Sequence, residues 1–105
     1  MSSLTIVMPV YNERDTLRTA LDRLLAVEMP IETEVVVVDD GSSDGCMDTI
    51  TDLVESGAVT LYVQNPNQGK GAALRRGIAE AKGDLLTVLD ADLEYDPADF
   101  PALLQ

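Results

Sequence analysis

The stretch Val35-Val36-Val37-Val38-Asp39-Asp40-Gly41-Ser42 joins four β-branched residues to an acidic turn. A short apolar run of this kind is typical of a strand that is buried on both faces. Three other apolar runs also end in polar, acidic or glycine-containing loops, at residues 4–8, 59–63 and 85–89. We therefore predict four strands whose following loops carry the polar chemistry of the protein.

The segments between the predicted strands have helical patterns. The first has apolar residues at the spacing of one helix face, namely Leu17, Ala20, Leu21, Leu24 and Leu25, and Met29-Pro30 closes it. The second begins near Asp44 as N-cap and ends at Gly57. The third ends at Gly83 and has a face that lets it lie close to the sheet, namely Leu74, Gly77, Ile78 and Ala81.

The order of elements, βαβαβαβ, predicts the α/β fold class. Right-handed crossovers convert this order into a parallel sheet of about four strands with helices on both faces. In such a sheet the loops that follow the strands gather at one edge, where ligands bind. Residues 99–105 resemble the start of a further helix. We therefore expect residues 1–105 to be the N-terminal part of a larger domain.

Composition excludes several classes of partner. The 105 residues carry a net charge of -12 and no histidine, which argues against nucleic-acid polymers and anionic membrane surfaces as direct partners. The single Cys46 excludes an intramolecular disulfide and fits a reducing compartment. The chain has no apolar run of ~20 residues and no basic N-terminal start. We predict a cytoplasmic protein without a membrane span in this chain.

Two common nucleotide-binding motifs do not fit. A dinucleotide-binding domain needs glycines in its first strand-to-helix turn, where this chain has Pro9-Val10-Tyr11-Asn12-Glu13. A P-loop needs Ser or Thr after its Gly-Lys pair, and Gly71 follows Gly69-Lys70 here. Both interpretations are excluded.

Asp90-Ala91-Asp92 indicates a site for a divalent cation. Its alternate spacing after a strand lets two carboxylates approach one ion, and ligands that are all oxygen favour Mg²⁺ or Mn²⁺. A carboxylate and a phosphate charge ~4 Å apart repel each other by roughly 4 kcal/mol at an effective dielectric constant of ~20. A cation would convert that repulsion into attraction. The alternative for this motif taken alone is a solvated acidic turn.

Four motifs in order resemble those of family 2 glycosyltransferases with the GT-A fold. They are Pro9-Val10-Tyr11-Asn12-Glu13, Val38-Asp39-Asp40-Gly41-Ser42-Ser43-Asp44, the stretch Asn67-Gln68-Gly69-Lys70-Gly71-Ala72-Ala73-Leu74-Arg75, and Leu89-Asp90-Ala91-Asp92. The continuation through Glu94 to Asp96-Pro97 is similar to the branch that contains dolichyl-phosphate mannosyltransferase and other polyprenyl-phosphate glycosyltransferases. The resemblance covers essentially the whole chain.

The resemblance implies a Rossmann-like nucleotide-binding half and gives roles to particular residues. Those implied to bind the nucleotide are Pro9, Tyr11, Glu13, Asp39, Asp40, Lys70 and Asp90. Among them, Asp39 lies beside the base or ribose and Lys70 offsets diphosphate charge. The implied ligands of Mg²⁺ or Mn²⁺ are Asp90, Asp92 and Glu94, and related enzymes often have Gln at the position of Glu94.

The implied activity is that of a metal-dependent glycosyltransferase of the hexosyltransferase type. It transfers a sugar from a UDP- or GDP-sugar to an acceptor, with polyprenyl phosphate as the candidate, at the cytoplasmic face of the membrane. The resemblance places the catalytic base beyond Gln105, so we expect no sugar transfer by residues 1–105 alone. An uncovered sheet edge would allow this chain to form a homodimer.

Two other functions stay open at this point. One is a non-catalytic nucleotide-binding module. The other is a phospho-acceptor receiver domain, because Asp39 and Asp40 form an acidic pair after a parallel strand. A receiver domain should have another Asp after its third strand, where this chain has Gln64-Asn65-Pro66.

Overall fold

The structure is a computed structural model, and it describes residues 2–91. In chain order the elements are β1 (Ser3–Val10), α1 (Leu17–Leu25), β2 (Glu32–Asp39), a 3₁₀ helix (Cys46–Ile50) that continues into α2 (Thr51–Glu55), β3 (Thr60–Val63), α3 (Lys70–Glu80) and β4 (Leu85–Val88). The four predicted strands are therefore confirmed. Within the described residues, no helix has the length and apolar character needed to cross a membrane.

The four strands form one parallel sheet in the order β3-β2-β1-β4. The chain first builds outward from β1 to β2 and β3, and then returns across the sheet to place β4 on the other side of β1. The direction of chain progression therefore reverses between β1 and β4. In open parallel sheets, the crevice beyond the strand ends at such a point is where ligands bind.

Helices cover both faces of the sheet, as predicted. One face packs against α1 and the 3₁₀ helix in a buried cluster whose largest members are Ile6, Met8, Leu17, Leu21 and Ile50. The other face packs against α3, where Val36, Val38 and Ala73 are buried together. β1 lies at the centre of both layers, and its residues from Leu4 to Val10 are all buried.

The predicted face of α3 was only partly correct. Ala73 and Gly77 are its buried residues, whereas Leu74 is half-buried and Ile78 is 53% exposed. The helix lies over β1 and β2, and a Cβ at Gly77 would come within 2.3 Å of Val7 Cγ1. Ile78 is displaced about 100° around the helix from Gly77 and is therefore turned away from the buried face of α3.

Two helix boundaries also differ from the prediction. The second helical segment begins as a 3₁₀ helix at Cys46, whose N–H donates to Asp44 Oδ1 at 3.0 Å. Asp44 therefore caps the segment across the left-handed residue Gly45. α3 ends at Glu80 rather than at Gly83, because Ala81 is already extended.

A polar network fixes the connection between α3 and β4. Thr5 is fully buried in β1, and its Oγ1 donates to Glu34 Oε2 at 2.5 Å and accepts the Gly83 N–H at 2.9 Å. The Lys82 N–H donates to the same Glu34 oxygen at 2.7 Å. A Cβ at Gly83 would lie 2.7 Å from the Thr5 nitrogen, so glycine allows this close approach of the chain to β1.

Gly77→Ala should destabilise the fold because the added methyl group meets Val7. Overpacking of a close contact costs typically 1–3 kcal/mol, against a gain of about 1 kcal/mol in helix propensity. Gly71→Ala in the same helix is the control, since its Cβ would contact only the end of the Arg75 side chain at 3.4 Å. Urea unfolding should give a lower free energy for Gly77→Ala than for Gly71→Ala. Equal free energies of unfolding for the two variants would contradict the close packing of α3 against β1 at Gly77.

Candidate functional site

A pocket of about 360 Å³ opens at the carboxyl ends of β1 and β4, where the strand order reverses. It also receives residues from the loops that follow β2 and β3, so all four predicted loops contribute. The residues that line it are Pro9, Val10, Tyr11, Glu13, Asp40, Asn67, Gly69, Lys70, Ala73, Asp90 and Ala91.

Six of the seven residues predicted to bind a nucleotide line this pocket, namely Pro9, Tyr11, Glu13, Asp40, Lys70 and Asp90. Asp39 is not among the lining residues. The predicted metal ligands Asp92 and Glu94 lie outside the described residues. Sequence reasoning gave no ligand role to Asn67, Gly69 or Ala73, although all three belong to the third quoted motif.

The loop after β1 is tied to the loop after β2. The Asn12 N–H donates to Ser42 Oγ at 2.8 Å, and Asn12 Oδ1 accepts the Ser43 N–H at 2.8 Å. Two residues later, the Arg14 N–H donates to Asp44 Oδ2 at 3.0 Å. These bonds hold the loop in place, while Tyr11 remains 51% exposed at the pocket.

Asp39 stabilises the turn that it begins. Its carboxylate is almost completely buried, and Oδ1 accepts both the Ser42 N–H, at 3.3 Å, and the Ser42 hydroxyl. Oδ2 receives no hydrogen bond from residues 2–91. Every fully buried side-chain oxygen in that range has a hydrogen-bond partner, so Oδ2 is not fully buried. Asp39 as a whole is 3% exposed and does not line the pocket.

Asp40 makes contacts of a different kind. Its side chain is 4% exposed and accepts hydrogen bonds from Gln64 Nε2 at 3.1 Å, the Gln68 N–H at 2.7 Å and the Gly69 N–H at 2.9 Å. All three donors belong to the loop between β3 and α3. The carboxylate therefore joins the loop after β2 to the loop after β3.

Gly41 allows these two loops to approach each other. Its φ is +74°, and a Cβ there would lie 2.8 Å from the Asn67 nitrogen and 3.0 Å from the Gln64 carbonyl oxygen. Any side chain would collide with backbone atoms at these distances. Glycine at this position is therefore required by both backbone conformation and space.

An ion pair joins two walls of the pocket. Lys70 is the first residue of α3, and its Nζ lies 3.0 Å from Oδ1 of Asp90, which follows β4. The Lys70 side chain is 63% exposed and that of Asp90 is 35% exposed. A cationic and an anionic group thus both line the pocket at the point where the strand order reverses.

Residues 5–105 match the sequence profile of the family described as Glycosyl transferase family 2. The chain belongs to glycosyl transferase family 2. It is 39% identical over 106 residues to the undecaprenyl-phosphate 4-deoxy-4-formamido-L-arabinose transferase of Aeromonas hydrophila, a match that covers 97% of the chain and 32% of the relative. The chain therefore spans about a third of the length of this curated relative.

Solved structures show the GT-A fold of this family 2 chain. The mannosyltransferase PcManGT from Pyrobaculum calidifontis, in complex with GDP-Man and Mn²⁺, superposes with a TM-score of 0.81 at 31% identity, covering 91% of the chain and 29% of the mannosyltransferase. S. aureus TarS 1-349 in complex with UDP gives a TM-score of 0.78 at 25% identity, covering 86% of the chain and 27% of TarS. The predicted fold class and family are thus confirmed.

The described residues include one of the predicted metal ligands of this family 2 chain. Asp90 presents a partly exposed carboxylate to the pocket, and carboxylate oxygen suits Mg²⁺ or Mn²⁺. Residues 2–91 contain no group of three or more His, Cys, Asp or Glu side chains placed to hold a metal ion. Asp90 therefore fits a divalent cation as one ligand of a shell that needs other oxygens.

Cys46 is a packing residue. Its side chain is fully buried in the cluster beneath α1, and burial raises the pKa of the thiol. The thiolate, which is the reactive form, is therefore disfavoured at neutral pH. This agrees with a structural role rather than a catalytic one.

Asp90→Asn and Lys70→Met should each change the free energy of unfolding by less than about 1 kcal/mol, because exposed ion pairs contribute little to stability. Guanidinium unfolding of the two variants and the wild type provides the measurement. A larger loss would show that the pair supports the fold, and ligand-binding defects of these variants would then need another explanation.

Proposed function

We propose that this chain forms the donor-binding part of a glycosyltransferase that moves a sugar from a nucleotide-diphosphate sugar to an acceptor. The observation that carries the proposal is the pocket between the ends of β1 and β4, which brings together six of the seven predicted nucleotide-binding residues. Family membership and the GDP-Man and UDP complexes of similar structures support it.

The charges in the pocket suit a diphosphate only with help from cations. Its lining includes the carboxylates of Glu13, Asp40 and Asp90, and the ammonium group of Lys70 lies beside Asp90. The amino-terminal end of α3 adds a partial positive charge on the same side. These groups favour a phosphate near Lys70, whereas an unscreened Asp90 would repel it.

A divalent cation would complete this arrangement. When bound, it offsets the charge of the diphosphate and stabilises the leaving group. We propose Asp90, Asp92 and Glu94 as its protein ligands, with Mg²⁺ or Mn²⁺ as the ion. The Mn²⁺ in the PcManGT complex supports this choice. The ammonium group of Lys70 lines the same pocket and would add to the offset of diphosphate charge.

The nucleoside would lie toward the ends of β1 and β2. Pro9 and Tyr11 line the pocket there, and the exposed ring of Tyr11 offers an apolar surface to a base. Oδ2 of Asp39 is an acceptor that suits the N–H group of a base or the hydroxyl groups of ribose. We propose UDP or GDP as the nucleotide.

The name of a relative supports a proposal for the acceptor. The transferase of Aeromonas hydrophila is described as acting on undecaprenyl phosphate, and its sequence is 39% identical to this chain. We propose a polyprenyl phosphate as the acceptor class. A lipid acceptor fits the predicted location of the whole protein at the cytoplasmic face of a membrane, which stays a prediction.

Metal and nucleotide should bind cooperatively, because few protein carboxylates form the metal shell and phosphate oxygens complete it. Mn²⁺ should raise the affinity for UDP or GDP by roughly tenfold, and the nucleotide should raise metal affinity by the same factor. Calorimetric titration of both nucleotides, with and without Mn²⁺, measures this linkage. Tight Mn²⁺ binding without nucleotide, or no nucleotide binding at all, would count against the proposal.

Asp39→Asn and Asp92→Asn should distinguish recognition of the nucleoside from metal-dependent binding of the diphosphate. Asp39→Asn should lose affinity for uridine or guanosine as well as for UDP or GDP, since it alters the carboxylate that would accept a hydrogen bond from the nucleoside. The second should bind the nucleoside normally but lose the effect of Mn²⁺, since it removes a ligand charge. Wild-type behaviour of both variants in the same titrations would refute these assignments.

A further inference from the structure

Asn12 lies between two residues of the pocket but is not one of them. Tyr11 before it and Glu13 after it both line the pocket, whereas Asn12 does not. Among residues 2–91, Asn12 is the one residue other than glycine with a positive φ, which is +52°. The chain therefore changes direction at Asn12, within the loop that presents Tyr11 and Glu13.

The backbone and the side chain of Asn12 both bond to the turn after β2. Its N–H donates to Ser42 Oγ at 2.8 Å, and its Oδ1 accepts the Ser43 N–H at 2.8 Å. The Ser42 hydroxyl donates its single proton to Asp39, so its oxygen can accept from Asn12. The two bonds hold a left-handed conformation that asparagine adopts far more readily than most residues.

The direction of the chain at Asn12 decides where the Tyr11 side chain lies. The ring is 51% exposed, so packing within residues 2–91 constrains it less than it would a buried ring. Glu13 is anchored to the start of α1, since its carbonyl accepts the Thr16 and Leu17 N–H groups at 3.1 and 2.8 Å. Tyr11 is therefore placed by β1 before it and by Asn12 after it.

We propose that Asn12 is a positioning residue for the nucleoside, acting on Tyr11 through its bonds to Ser42 and Ser43. This inference rests on the proposed function of the pocket. A loop that orients an exposed ring binds more tightly when its backbone is ordered before the ligand arrives, because ordering it during binding reduces affinity. Asn12 supplies that order from outside the pocket.

Asn12→Ala is the direct test, because alanine removes the acceptor of the Ser43 N–H and disfavours the left-handed backbone. We expect the affinity for uridine or guanosine to fall roughly tenfold, while the affinity for pyrophosphate with Mn²⁺ stays within about twofold of wild type. Calorimetric titration measures both. An unchanged nucleoside affinity, or an equal loss for pyrophosphate, would overturn the inference.

Asn12→Asp should restore nucleoside binding. Aspartate retains an oxygen acceptor for the Ser43 N–H, and like asparagine it tolerates the left-handed region. Uridine and guanosine are uncharged, so the added carboxylate repels neither. Nucleoside affinity should be within about threefold of wild type. If Asn12→Asp binds the nucleoside as weakly as Asn12→Ala, the role of the side-chain acceptor fails.

Arg14→Met is the matched control. The Arg14 guanidinium also joins the loops after β1 and β2, since its Nη1 donates to the Asp44 carbonyl at 3.0 Å, and Arg14 does not line the pocket. Methionine removes this donor. Nucleoside affinity should stay within about twofold of wild type. A tenfold loss would show that any weaker connection between these loops lowers affinity, and the specific role of Asn12 would fail.

A double-mutant cycle with Tyr11→Ala tests the route of action, with UDP or GDP and Mn²⁺ as the ligands. If Asn12 acts through Tyr11, Asn12→Ala should lower affinity by no more than about twofold once the ring is absent. Additive losses would mean that Asn12 affects the ligand by another route, and would overturn the proposal.

Asn12→Gly serves as the second variant should Asn12→Ala fail to fold. Glycine accepts the left-handed conformation, so this change removes only the side-chain acceptor. Nucleoside affinity should fall by about threefold, again without a change for pyrophosphate and Mn²⁺. Equal effects on the two ligands, or wild-type affinity for both, would be contrary to the proposal.

Hydrogen exchange separates this inference from the proposed function. The Ser43 amide proton should exchange faster in Asn12→Ala than in the wild type and Asn12→Asp, while the amides of β1 remain protected in all three. Unchanged exchange at Ser43 in Asn12→Ala would overturn the positioning role whether or not nucleotides bind. Failure of the wild-type chain to bind any nucleoside or nucleotide diphosphate would instead refute the proposed function, and the role in nucleoside binding would fall with it even if Asn12 holds the loop.

Discussion

Burial of β1 between two neighbouring strands and two helical layers is the constraint on which the site depends. β1 pairs with β2 on one side and β4 on the other, and its residues from Leu4 to Val10 are buried. Because β3 lies on the far side of β2, β4 can pair with β1 only if the chain crosses back over the sheet after β3. That return brings Asp90 to the same edge as Pro9 and opens a crevice between them. The pocket is therefore a consequence of how the apolar runs are buried.

Local hydrogen bonds and ion pairs make an acidic chain compatible with an anionic ligand. The net charge of -12 would repel a diphosphate over the surface as a whole. At the pocket, however, Asp40 is surrounded by donors and Asp90 faces Lys70. Interactions at such short range outweigh distant charges, which salt screens beyond about 8 Å at physiological ionic strength. These contacts do not balance the combined negative charge of the pocket carboxylates and a diphosphate. That is why the proposed mechanism includes a divalent cation.

The sequence predicts those features that depend on neighbours along the chain. The strands were predicted because β-branched runs are typical of buried strands, whereas the nucleotide-binding residues were implied by the resemblance of four motifs that lie at or after the ends of those strands. The burial of α3 was predicted less well, since spacing identifies an apolar face but not which of its residues the sheet covers. Ile78 belongs to the predicted face but is 53% exposed. The contrast between Asp39 and Asp40 was also invisible, because the donors to Asp40 come from residues 64–69. The roles of Asp92 and Glu94 stay predictions.

The turn Asp39-Asp40-Gly41-Ser42 explains why such a short motif can indicate a whole site. Asp39 closes the turn through Ser42, Ser42 in turn accepts the Asn12 N–H from the loop after β1, and Asp40 holds the loop after β3. Gly41 permits the backbone contact with Asn67 that these bonds require. Three loops are thus joined by four consecutive residues, and a change in any one of them alters the geometry of the others. The motif is constrained by assembly of the pocket as much as by contact with the ligand, so a residue in it cannot be given a ligand contact on sequence grounds alone.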